Sequence, residues 1–103
     1  MIKLNEPYTV GLWTVKPGNE MEFIAEWAAF AKWTAENQTG AGMGYLLQDP
    51  QNTRQFISYG PWESSAAIDA WRNRPEFKAF VTRAKELCEV FQPRSLVLVA
   101  ASE

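Results

Sequence analysis

Histidine is absent from these 103 residues, and cysteine occurs once. Histidine is the commonest neutral metal ligand and the side chain that exchanges protons most readily near pH 7. Its absence removes the usual ligand sets of zinc and iron and leaves any proton transfer to other groups. Carboxylates alone could hold a hard cation, but no Asp/Glu spacing gathers them. No Gly-x-Gly-x-x-Gly run opens a nucleotide fold, so the expectation is a protein without metal, flavin or haem. The lone Cys88 cannot form an internal disulfide, and its place among Val81, Ala84, Leu87 and Phe91 reads as a buried helical thiol. Positive charge is in short supply, with 10 basic residues against 12 acidic and a net charge of -2. No basic run could follow a phosphate backbone, so nucleic acid is excluded as a partner. Long apolar runs are missing too: nothing approaches the ~20 residues of a membrane span. Residues 1–7 lack the apolar core of a signal peptide and read as an N-terminal extension of one domain covering 1–103. A cytoplasmic protein is expected.

The pattern that is present alternates strand and helix signals. Residues 8–15 are rich in β-branched and aromatic side chains and stop at Lys16-Pro17-Gly18. Asn19 and Glu22 have the spacing of a capping box, and Phe23, Ile24, Trp27, Phe30 and Ala31 follow at helical spacing to about Ala35. Gly40 and Gly42 mark the exit, residues 43–48 read as a second strand, 49–52 as a turn, and 55–62 as a third strand. Ser64 or Ser65 can cap a short helix carrying Ala67, Ile68 and Trp71, and Pro75 suits the first turn of another. Phe77, Phe80, Val81, Ala84, Leu87, Cys88 and Phe91 form one long apolar stripe, with Pro93 as its terminator. Residues 96–100 then read as a fourth strand.

That order is the split βαβ plan: an α+β, ferredoxin-like fold with helices on one face of a four-stranded antiparallel sheet. A solvated second face would make each strand alternate, yet Leu12-Trp13 and Leu96-Val97-Leu98-Val99 are apolar in both phases. A second copy of the same sheet is the simplest cover, which makes a homodimer the expected assembly, with Val97 or Leu98, depending on phase, in the contact.

Taken together, Lys16-Pro17-Gly18, Gly40-Ala41-Gly42 and the run PWESSAAIDAWRNRPEF from Pro61 to Phe77 resemble the antibiotic biosynthesis monooxygenase family. The resemblance covers nearly the whole chain and implies a dimeric α/β barrel with a ligand pocket between sheet and helices in each subunit. Quinol-oxidising members need no metal or flavin, because the electron-rich substrate anion reduces oxygen while the protein binds and polarises it. Their pattern ends strand three with a Trp, preceded four residues earlier by Asn and followed six later by Tyr. Here those positions hold Trp62, Ser58 and Ile68. Haem-degrading relatives hold iron through a histidine that this chain lacks.

The resemblance makes Trp62 and Ser58 candidate catalytic residues, and Arg72 joins them as the best-suited charge among Glu63, Asp69, Arg72 and Arg74 around the short helix. Trp62 would place a flat ring, with its indole N–H donating to a developing oxyanion, and Arg72 would clamp an enolate or phenolate with a fixed guanidinium fork. The aromatic excess, 14% of residues with five tryptophans, points to a small aromatic ligand. Trp13, Trp33, Tyr45, Tyr59, Ile68 and Trp71 are the candidate binding residues, and strand phase decides which of the strand residues face the pocket. Trp62 and Ser58 share a strand face, whereas Trp27 reads as core on its helix stripe. Two functions compete: a cofactor-independent monooxygenase of phenol- or quinol-type substrates, and a non-catalytic ligand-binding or stress-related dimer. An RNA-binding fold of the same topology would need the basic-Gly-aromatic signature that residues 55–62 lack.

Overall fold

In the computed structural model, which describes residues 3–103, the elements run β1 (Pro7–Val15), α1 (Glu20–Asn37), β2 (Tyr45–Asp49), β3 (Asn52–Pro61), α2 (Ser65–Arg72), α3 (Pro75–Leu87) and β4 (Cys88–Val97). The strands form one antiparallel sheet in the order β2-β3-β1-β4, the ferredoxin-like arrangement. Of the expected N-terminal extension, Pro7 belongs to β1, Asn5 and Glu6 are tied to Leu98 by backbone hydrogen bonds, and Met1 and Ile2 lie outside the described residues.

Alternation divides the sheet into two faces. Gly11, Trp13 and Val15 of β1 and Phe56, Ser58 and Gly60 of β3 are buried on one. There Phe23 of α1 and Ala84 and Leu87 of α3 meet them, forming the core with Cys88. Phe23, Phe56 and Val15 are the largest fully enclosed side chains, each contributing roughly 1.5–3 kcal/mol through burial. The Trp13 ring is sandwiched, stacked on Phe91 at 4.1 Å and tilted against Phe23 at 5.0 Å. Arg83 also ties α3 to Glu22 and Glu26 of α1.

Local signals explain most element ends. Gly18 takes φ +86° in the turn after β1, a left-handed conformation that costs glycine little. Ser64, not Ser65, caps α2 by accepting from the Ala67 amide at 3.1 Å. The expected capping box of α1 does not form: Asn19 occupies the N-cap without a side-chain bond, and the acidic Glu20 and Glu22 suit the positive end of the helix.

The last third departs from expectation. The long stripe is not one helix, since α3 ends at Leu87 and β4 begins at Cys88 and runs through Phe91 and Pro93. Its register against β1 shifts at Thr14/Val15, where Val15 faces Cys88 but Thr14 faces Val90. The extra residue, Glu89, re-phases the strand. Cys88 and Phe91, three apart, therefore both turn to the core, a spacing that mimics a helix. Pro93 is tolerated because β4 is an edge strand. The phase also places Leu96, opposite Tyr8, on the helix-free face and Val97, opposite Pro7, on the other.

Candidate functional site

Between the helix-covered face of the sheet and the helices lies a cavity of about 500 Å³. Small residues make its floor. Thr9 pairs with Gly60 and Gly11 with Ser58, so four adjacent positions on the buried face carry two glycines and two small hydroxyls. Trp13 and Trp62 border this floor, Trp27 and Phe30 reach over it from α1, Trp71 from α2, and Phe77 and Phe80 from α3. Phe30 stacks on Phe80 with centroids 4.5 Å apart, and Trp62, Trp71 and Phe77 form a second aromatic series. Such a box favours a flat, apolar guest.

Its polar groups follow one rule. Trp13 Nε1 donates to Ser58 Oγ at 3.0 Å, Trp62 Nε1 to Thr9 Oγ1 at 3.0 Å, and Trp71 Nε1 to Thr34 Oγ1 at 3.0 Å. An indole N–H can only donate, so each hydroxyl is fixed as acceptor and retains its own proton for a further bond. A hydroxyl already accepting a hydrogen bond is polarised into a better donor. Thr9, Ser58 and Thr34 all border the cavity, and Thr34 and Ser58 are buried. Gly11 makes the first pair possible: a Cβ there would lie 2.7 Å from both Ser58 Oγ and Trp13 Nε1.

Arg72 sits half-buried at the cavity edge, its Nη2 donating to Ser95 Oγ at 2.9 Å. Cys88 lies in the core rather than the cavity. Burial pushes its thiol up to about 11 against the opposing pull of Lys16, which makes it a poor nucleophile at neutral pH.

The cavity gathers Trp13, Ser58, Trp62, Trp71 and Arg72, and leaves out other expected residues. Trp33 packs outside it, stacked on Phe30 with the Arg74 guanidinium 5.0 Å from its ring. Ile68 is buried, at 3% exposure, but does not line the cavity. Tyr45 and Tyr59 face each other across β2 and β3 with their rings stacked at 5.4 Å. Both rings lie on the helix-free face, because they alternate with Leu46 and Ser58, and Tyr59 borders the cavity by its main chain. Trp62 offers no free indole donor to a ligand, since Thr9 takes it. Conversely, Trp27 packs against the core as its helical spacing predicts and also belongs to the cavity lining, its ring beside Gly44. Thr9 and Gly11 were legible as cavity residues from their shared phase with Trp13, whereas Thr34 carried no sequence signal.

The chain's likeness to known proteins agrees with this geometry. By fold it is similar to protein SO0527 from Shewanella oneidensis, with a TM-score of 0.85 at 20% identity over 98% of both chains. SnoaB, a cofactor-independent oxygenase from Streptomyces nogalater, gives 0.79 at 21% identity over 96% of each. PA3566 from Pseudomonas aeruginosa gives 0.78 at 21% identity over 96% of this chain and 100% of that one. Among curated protein sequences none matches. The family model for antibiotic biosynthesis monooxygenases matches residues 8–83, from the start of β1 into α3, and takes in Thr9, Gly11, Ser58, Trp62 and Arg72; the chain belongs to the antibiotic biosynthesis monooxygenase family.

Proposed function

We propose that the protein is a cofactor-independent monooxygenase acting on a small aromatic phenol or quinol with molecular oxygen. The observation that carries this reading is the aromatic cavity with three indole-held hydroxyls. A planar substrate slides between the rings, and its oxygen, as it becomes an anion, accepts hydrogen bonds from Ser58 and Thr9 without any rearrangement of the site. Preorganised donors of this kind are worth about 3 kcal/mol each in a dry site. The phenolic proton leaves to water. The anion passes one electron to oxygen, and the substrate radical and superoxide combine through a C–O bond. The resulting peroxide anion takes back a proton from water, and loss of water from the hydroperoxide turns the ring C–H that oxygen attacked into C=O, so that phenol and O2 yield a quinone and one water. The similarity to SnoaB, itself a cofactor-independent oxygenase, supports the reading.

We place the helix-free face against a second copy. Tyr45, Leu47, Ile57, Tyr59, Val90 and Leu96 are between 36% and 53% exposed there, an apolar surface that a second copy of the same sheet would cover.

Oxygen uptake with a panel of hydroxylated anthrones and quinols tests the activity. Uptake above the buffer rate, reduced by Ser58→Ala and Thr9→Val, is the expected result. The competing reading, a binding protein without turnover, is favoured by Ile68, an apolar residue outside the cavity where quinol oxidisers carry a tyrosine. Tight binding of the same compounds with no uptake would establish it instead.

A further inference from the structure

The charge bordering the cavity has one sign. Arg72 and Lys32 line it and no aspartate or glutamate does, although acidic residues outnumber basic ones in the chain. Past Arg72 lies a second, more open hollow that shares Phe77, Val81, Phe91 and Pro93 with the first. Its remaining residues are Lys85 and Ser95, again without a carboxylate. Arg54, Arg74 and Arg83 each pair with a glutamate. Arg72 has no carboxylate within 4 Å among the described residues, and Ser95 Oγ takes one of its donors. A half-buried guanidinium edged by aromatic rings and lacking a counterion presents its remaining N–H groups to whatever enters. Its planar fork matches a carboxylate in two parallel hydrogen bonds.

We propose that the two hollows form one binding site for an aromatic carboxylate. The ring system lies among the aromatic rings of the cavity lining, the carboxylate bonds to Arg72, and Lys85 adds attraction from the outer hollow. The proposal rests on the reading of the cavity as a substrate site and narrows the phenol or quinol to one bearing an acid group.

Naphthalene-2-carboxylate and its neutral isostere naphthalene-2-carboxamide, titrated against tryptophan fluorescence, test it without requiring turnover. The carboxylate should bind about tenfold or more tightly than the amide, the scale of one charge-assisted bidentate contact. Arg72→Met should bring the ratio down to the roughly twofold to threefold that Lys85 still supplies, Arg72→Lys should restore part of the loss, and Lys85→Met should lower the parent ratio about twofold to threefold, as expected for a single screened charge. Lys78→Met, on α3 but outside both hollows, should leave it unchanged. Equal binding of the two probes, a ratio undiminished by Arg72→Met, or no carboxylate binding at millimolar concentration would each overturn the proposal. Lys85 is exposed, so its variant still tests the charge preference if Arg72→Met fails to fold. Loss of oxygen uptake on every substrate would defeat the oxidation and leave the charge preference standing. Equal uptake on neutral and carboxylated quinols would do the reverse.

Discussion

The indole Nε1 of Trp62 lies 3.0 Å from Thr9 Oγ1, and this bond joins the end of β3 to the middle of β1 across 53 residues of sequence. Trp62 is 4% exposed, so the donor has no easy route to water. Thr9→Val keeps the shape but strands the indole N–H, which should cost about 1–3 kcal/mol. Trp62→Phe removes donor and need together. In urea melts the double variant should therefore lie closer to wild type than the sum of the singles, by about 1 kcal/mol. Strict additivity would mean that the bond carries no coupling.

Gly11→Ala tests the other pair. The new Cβ meets Ser58 Oγ and Trp13 Nε1 at 2.7 Å, so one partner must move, at a stability cost of about 1–3 kcal/mol. Bulk is also added to the cavity floor, and affinity for naphthalene probes should fall about tenfold, a change of ~1.4 kcal/mol. Unchanged titrations would show that ligands bind elsewhere.

Cys88 supplies a pH dependence of definite sign. Its folded pKa of about 11 stands above the ordinary 9.0, with burial as the leading cause. The folded protein holds this proton more tightly than the unfolded chain does. The contribution to stability is thus fully present below pH 9 and lost as pH rises toward 11. Urea midpoints of wild type and Cys88→Ala should diverge least at the alkaline end of that window. A thiol reagent at pH 7.5 should label the native protein far more slowly than the unfolded chain, and rapid native labelling would contradict the burial.

The helix-free face yields a mass measurement. Leu96→Lys and Ile57→Lys place a charge where those side chains are 51% and 42% exposed. In an isolated chain such changes are nearly neutral, within about 0.5 kcal/mol. Light scattering should give a dimer for the parent and a single chain for either variant. A parent that stays monomeric at micromolar concentration, or variants that remain dimeric, would remove the second copy from the helix-free face.

Sequence pattern reached the sheet, its order of elements and the aromatic pocket because alternation and helical spacing are local. It failed where two distant segments set the outcome together. The Glu89 bulge depends on how β4 meets β1, so Cys88 and Phe91 looked helical. Trp27 does pack against the core, but periodicity identifies the inward face of a helix and not the cavity that the same ring also borders. Tyr45 and Tyr59 could be sorted only once the phase of β2 and β3 was known. The indole partners needed contacts 37 to 53 residues apart, which no single-segment signal contains.

The glycine floor separates two properties that most binding sites entangle. Shape is set on the sheet, where Gly11 and Gly60 let Ser58 and Gly44 come close, while charge is set on the helices, at Arg72 and Lys85. A methyl group at Gly11 meets Ser58 and Trp13, and one at Gly60 meets the main chain of residues 43–44, whereas exchange of either cation changes the preferred charge of the guest and leaves that floor in place. A lineage, or a library, can therefore vary ligand charge one substitution at a time on this scaffold while the floor stays fixed.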